Sequence, residues 1–189
     1  MELFPHRGIH WNNLAVAYTI DALITEINRQ AGKPLLPPIL WNYRIVGRES
    51  GTDIDLDRLL NGLFSRVSFA APEVAFSATV PCRDTPAASI DMALVGSSFL
   101  HQVTPVLMTA ACVRRLNEYG YLSLTRYGGD PPMYKSDLSA TDFDVIRRAE
   151  ILVVEENENF VGASSYVAEL GRLVGANNKL DPQKVPSAD

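Results

Sequence analysis

The chain has 189 residues, of which 47% are hydrophobic and 21% charged, and carries a net charge of −5 at pH 7. The length fits one domain, and the composition is that of a globular chain with a real core, which excludes a disordered one. The acidic balance and the lack of a basic stripe exclude an electrostatic footprint for nucleic acid or an anionic membrane.

Residues 12–31 are expected to be a helix. Val16, Ile20, Leu23, Ile24, Ile27 and Ala31 recur at spacings of three and four and line one face. Asn12 or Asn13 caps its start, and Gly32 with Pro34 stops it. Ile39–Val46 is expected as a strand and 54–62 as a short helix ending at Gly62. Asp53, Asp55 and Asp57 open that helix at a period of two, which spreads them around it, and capping of the helix dipole explains them best. Val74–Val80 is expected to be extended. Met92-Ala-Leu-Val reads as a strand covered on both faces and runs directly into Gly96-Ser-Ser-Phe.

Thr104 and Pro105 read as an N-cap and N1 pair, opening a helix over 106–119 that Gly120 closes. Tyr121–Tyr127 is strand-like and Gly128-Gly-Asp-Pro-Pro breaks it. A short helix starts at Ser139 or Thr141, Ile151-Leu-Val-Val is a second apolar strand, and a last helix covers 164–174. The domain is expected over 1–175 and a flexible tail over 176–189. This β/α alternation predicts an α/β fold in three layers, a mainly parallel sheet with helices on both faces. Ligands then gather at the carboxyl ends of strands. That rule weights Gly96–Phe99 and the run Glu155-Glu-Asn-Glu-Asn.

The longest apolar runs fall far short of the roughly 20 residues that span a bilayer, and no export signal opens the chain as given. Cys82 and Cys112 are too few for a disulfide scaffold or a structural zinc site. They allow either one disulfide or two buried thiols.

A serine after a strand and glycine turn stands clear of the sheet, where it can act as a nucleophile beside oxyanion-stabilising donors. The same residues also suit a plain turn with a capping serine. Only His6, His10 and His101 are available as a base. His101 follows Ser98 by three residues and is expected to point elsewhere. His10-Trp11, entering a helix, suits either a packed aromatic corner or a general base held at the mouth of a site. Arg126 ends a strand before a glycine-rich loop and suits either a ligand anchor or a solvated arginine. The acidic run at 155–158 lacks a second ligand cluster for a metal; it suits a solvated strand end or carboxylates that bind substrate hydroxyls.

Phe4-Pro-His-Arg-Gly-Ile-His-Trp-Asn, Thr52-Asp-Ile-Asp-Leu, Ala93-Leu-Val-Gly-Ser-Ser-Phe and Ile151-Leu-Val-Val-Glu-Glu-Asn-Glu together resemble, in order, the SGNH-hydrolase-like alginate O-acetyltransferase family, whose members acetylate exopolysaccharides. The resemblance spans most of residues 4–160. It implies an SGNH-like domain with Ser98 as nucleophile and His10 as base. Ser97, Trp11, Arg126 and Asn157 are the expected substrate or oxyanion contacts. It further implies acyl transfer through an acetyl-serine, with no metal or organic cofactor. The substrate is a polysaccharide or an acetyl ester, and the partners are envelope polysaccharide-export proteins. The setting is the periplasm or cell envelope. The family places an aspartate two residues before this histidine, where this chain has Gly8. Either a Ser–His dyad suffices, another acid substitutes, or the chain is a weak or inactive relative, a carbohydrate-binding or scaffold protein on the same fold. The His-Trp motif starts nine residues into the chain, so the resemblance also implies a partial domain lacking N-terminal elements. A third reading, a phosphate-binding domain using Gly96-Ser-Ser, lacks any glycine-rich phosphate fingerprint.

Overall fold

The computed structural model describes residues 2–60, 68–120, 123–128, 132–156, 168 and 171–172. The helix expected over 164–174 and the tail over 176–189 lie largely or wholly outside them.

Helix α1, Asn13–Ala31, forms as its periodicity dictates and buries Val16, Ile20 and Ile24. Asn12 caps it, its side-chain oxygen accepting from the amides of Leu14 and Ala15 at 3.1 Å each. Gly32 ends it in the left-handed region at φ 63°. Strands β1, Ile39–Val46, and β2, Ala71–Ala78, pair antiparallel as a separate ribbon. Between them the chain makes a 3-10 turn, Gly51–Ile54, that runs into the short helix α2, Asp55–Leu59.

The main sheet is built on β3, Asp91–Gly96, buried on both faces as its apolar run requires. It pairs parallel with β4, Arg115–Gly120, on one side and with β7, Ile151–Val154, on the other. Strands β5, Ser123–Tyr127, and β6, Met133–Lys135, extend the β4 side antiparallel, so the order is β6-β5-β4-β3-β7. Helix α3, Leu100–Thr109, packs with α1 on one face around Leu94, Leu107 and Leu116. Helix α4, Asp144–Arg148, packs on the other, where Phe143 and Ile146 meet Ala93, Val95 and Tyr119. Each fully buried side chain of that size contributes about 1.5–3 kcal/mol. The expected α/β class and three layers are therefore present, with three of the five described strands of this sheet parallel.

The region 100–120 corrects the expectation from sequence. The helix begins at Leu100, directly after Ser98, and Pro105 lies inside it. Thr104 is no cap, since its hydroxyl donates to Glu118 at 2.5 Å. The chain leaves the helix through Cys112, left-handed at φ 64° and tied to Cys82 by a disulfide. Residues 115–120 are then strand, not helix. Val113 and Leu116 continue the three-residue spacing of Leu107 and Ala110 by coincidence, and periodicity cannot separate that from a strand. Strand β6 carried no recognisable signal in the sequence.

Candidate active site

The site lies at the carboxyl end of β3. Gly96 ends the strand because the space a Cβ would fill is occupied: it would stand 2.6 Å from Glu155 Oε2 and 2.8 Å from Leu100 Cδ1. The chain turns at once through Ser97 and Ser98 into α3. This turn is tight, with Leu100, His101 and Gln102 donating three residues back, to the carbonyls of Ser97, Ser98 and Phe99.

Glu155, next after β7, clamps the turn. Its Oε2 accepts from both the amide and the hydroxyl of Ser97 at 2.7 Å. Ser97 was expected to serve substrate or an oxyanion. Both of its donors are instead engaged by this carboxylate, so it sets the turn.

His10 reaches Ser98 from the segment ahead of α1. Its Nε2 lies 2.7 Å from Ser98 Oγ. Phe99 packs against both aromatic rings of the His-Trp pair, with centroids 5.2 Å from His10 and 5.1 Å from Trp11. The indole N–H of Trp11 is buried and has no acceptor among the described residues.

The far nitrogen, His10 Nδ1, donates to Oδ2 of Asp55. The other oxygen of Asp55 accepts from the Ile9 amide at 2.7 Å. With both oxygens engaged, the carboxylate holds the imidazole with its proton on Nδ1 and its Nε2 lone pair facing the serine. Side chains of His10 and Asp55 are 17% and 20% exposed, so the pair is largely dry.

The placement of Asp55 also explains Gly8. A Cβ at position 8 would stand 2.7 Å from the carbonyl oxygen of Thr52 and 2.6 Å from Pro5 Cγ. The backbone of the 3-10 turn therefore fills the space that a side chain at position 8 would need. The same approach lets Leu56 N–H donate to Arg7 O at 3.0 Å. The Arg7 guanidinium, itself buried, donates to Asp57 and faces Glu49. Residues 7–10 and 49–57 are thus knitted into one unit that delivers an acid from 45 residues downstream. In the sequence Asp55 is explained by the helix dipole alone, and its spacing gives no sign of this role. The available signal was a glycine where an acid was expected, together with the nearby Thr52-Asp-Ile-Asp segment.

Two further expectations end differently. Arg126 is not at the site. Strand β5 runs antiparallel to β4, pairing Arg126 with Asn117, which lies level with Ala93. Its carboxyl end therefore points towards the end of the sheet opposite Ser98. There Arg126 donates to Asp142 at 3.1 Å. The carboxyl of Asp142 is held well below the usual range, first by its hydrogen bond from Lys135 and then by those from Ser139. Asn157 lies outside the described residues.

A cavity of about 450 Å³ adjoins the site, lined by Asn13, Arg48, Thr52, Asp53, Gln102 and Val106 among others. Gln102, one turn past Ser98, donates to Thr52 at 2.5 Å, and both residues line this cavity. Asp53 on its wall is pushed up to about 6 by burial and then by the nearby charge of Glu49. No group of three or more metal-ligating side chains occurs among the described residues. No described helix is long and apolar enough to cross a membrane.

No protein-family model matches the chain, and no curated protein matches it. Among solved structures, the chain is similar to the O-acetyltransferase domain of Pseudomonas putida AlgJ. The identity is 14% and the TM-score 0.45, over 93% of this chain. This chain spans 62% of that one. A likeness this distant assigns no residue role.

Proposed function

We propose that the chain is a serine-dependent acyltransferase in which Ser98, His10 and Asp55 act as nucleophile, base and orienting acid. One observation carries this: Ser98 Oγ, His10 and Asp55 form a continuous relay, with the 2.7 Å Ser98–His10 contact at its head. Ser98 Oγ attacks the acetyl carbonyl while His10 Nε2 takes the serine proton. Asp55 stabilises the resulting imidazolium. The tetrahedral intermediate collapses, the leaving oxygen receives the proton from His10, and acetyl-Ser98 remains. An incoming hydroxyl then gives its proton to His10 and attacks the acetyl carbon. The bond to Ser98 Oγ breaks and His10 returns the proton there. A sugar hydroxyl as acceptor makes the reaction O-acetylation of a polysaccharide; water makes it deacetylation.

Gly8 in the expected acid position favours a non-catalytic reading, and Asp55 at His10 Nδ1 supports the catalytic one instead. The Cys82–Cys112 disulfide supports an oxidising compartment, in keeping with the periplasm or cell envelope, where polysaccharide-export proteins are the natural partners.

The test is release of p-nitrophenol from p-nitrophenyl acetate. Wild type is expected to show a burst followed by turnover. Ser98→Ala should show neither, and Asp55→Asn should lose up to about 10⁴-fold. Equal rates for wild type and Ser98→Ala would overturn the reading for this substrate class.

A further inference from the structure

A second carboxylate–histidine pair flanks the same serine. Glu118 on β4 is a deeply buried carboxylate, its side chain 3% exposed. It accepts from Thr104 at 2.5 Å through one oxygen and lies 2.5 Å from His101 Nδ1 through the other. His101 itself is 60% exposed. The triad uses neither residue.

The position of His101 follows from the bonding of the turn. His101 N–H donates to Ser98 O at 3.2 Å, three residues back, as in a 3-10 helix. In that geometry side chains three apart lie on one line along the helix, about 6 Å apart in rise. Helical side chains also lean towards the amino end of their helix. Ser98, His101 and Gln102 therefore share one face at the start of α3. Gln102 is bound to Thr52 on the side of the triad, and His101 is bound to β4 on the other. The opening over Ser98 thus has His101 as its far rim.

The chemistry of that rim is set by Glu118. The negative charge of Glu118, 2.5 Å from Nδ1, favours the neutral tautomer with its proton there, which leaves Nε2 as a hydrogen-bond acceptor. No described protein group contacts Nε2. Serving as base for Ser98 already falls to His10, so the proposed acyl transfer needs no second base there. What the transfer half-reaction still lacks is a group to hold the acceptor.

We infer that His101, fixed by Glu118, binds a hydroxyl of a polyol acceptor next to the one that reacts, and so favours transfer to sugars over water or simple alcohols. This rests on the proposed acyl-serine reading and makes His101 a specificity-determining residue. The reacting hydroxyl still gives its proton to His10. The neighbouring hydroxyl donates to His101 Nε2 without proton transfer.

The experiment uses the full chain with p-nitrophenyl acetate as donor and either methyl glucoside or ethanol, at equal hydroxyl concentration, as acceptor. The readouts are the p-nitrophenol burst and the ratio of acetylated glucoside to acetylated ethanol. The variants are His101→Ala and His101→Arg. The second keeps an ionic partner for Glu118 and has no acceptor, which covers the case where the alanine variant folds poorly. The expected result is an unchanged burst with the ratio reduced about tenfold in both variants, the factor one hydrogen bond supplies. A normal burst with the wild-type ratio in either folded variant overturns the inference and leaves the acyl-serine reading standing. Absence of a burst in the wild type overturns the acyl-serine reading, and this inference with it.

Discussion

Replacing Gly8 by alanine should disable the site without touching any group that does chemistry. The added Cβ would meet Thr52 O at 2.7 Å and Pro5 Cγ at 2.6 Å, where unstrained contacts between such atoms lie near 3.5–4.0 Å. The Pro5 ring can pucker away, but the Thr52 oxygen is backbone. Relief therefore needs a shift of roughly 1 Å in the 3-10 turn, judged against that contact distance. Asp55 shares the shift, because it is three residues from Thr52 and follows directly on the same turn. A displacement of that size costs about 10²-fold in rate, and full loss of the orienting acid about 10⁴-fold. Turnover of p-nitrophenyl acetate by Gly8→Ala should fall within that range, while overpacking lowers stability by about 1–3 kcal/mol. The two are separated by measuring turnover well below the melting temperature of each protein. Because both changes act through one relay, Gly8→Ala in an Asp55→Asn background should add little further loss. Turnover by Gly8→Ala within twofold of wild type would refute the claim that close approach at position 8 delivers the acid.

Three further outcomes follow from particular contacts. Glu155→Ala should lower turnover about 10²-fold by releasing the Ser97 turn, whereas Glu155→Gln, whose carbonyl can still accept from Ser97, should recover most of it; equal losses in both variants would exclude a positioning role. Asp53 holds its proton up to about pH 6 in the folded chain because of burial and then Glu49, above its unfolded value, so its contribution is fully present below about pH 4 and is lost as pH rises through 6. Asp53→Asn should therefore be more stable than wild type at pH 7, by up to about 3 kcal/mol, and equal to it at pH 4, as read by urea unfolding at the two pH values. The Cys82–Cys112 bridge closes a loop across a separation of 30 residues, and its removal by Cys82→Ala with Cys112→Ala should cost about 3.6 kcal/mol; an unchanged unfolding midpoint in that double variant would exclude a stabilising role.

What the sequence discloses here depends on how local the cause is. Helix α1, its Asn12 cap and its Gly32 stop are set by residues within one or two turns of each other, and they are legible. The buried strands β3 and β7 are legible because an apolar run between turn residues permits few other fates. Their pairing brings Ser97 and Glu155 together, as the rule for carboxyl ends of parallel strands suggests. The region 100–120 is not legible, because Leu107, Ala110, Val113 and Leu116 keep a helical spacing across the end of α3. The helix ends at Thr109, ahead of the left-handed, disulfide-bonded Cys112, and neither feature leaves a mark on the periodicity. Arg126 misleads because a strand's direction is a property of the sheet, not of its own residues. Asp55 is the most instructive case. A period of two in a short helix gives no reason to prefer one aspartate over its neighbours. Selection comes from the approach of Gly8 to Thr52, a contact 44 residues apart in the chain that only the folded backbone displays.

The central claim is that Ser98 carries the acyl group. Acetyl-ester substrate is mixed with wild-type chain, the reaction is quenched in acid within the burst, and the site of modification is mapped by peptide mass spectrometry. The account predicts a single acetyl group on the peptide containing Ser98, its formation slowed in Asp55→Asn and abolished in Ser98→Ala. Turnover with no acetyl group on Ser98, or with the group on another residue that persists in Ser98→Ala, would contradict it.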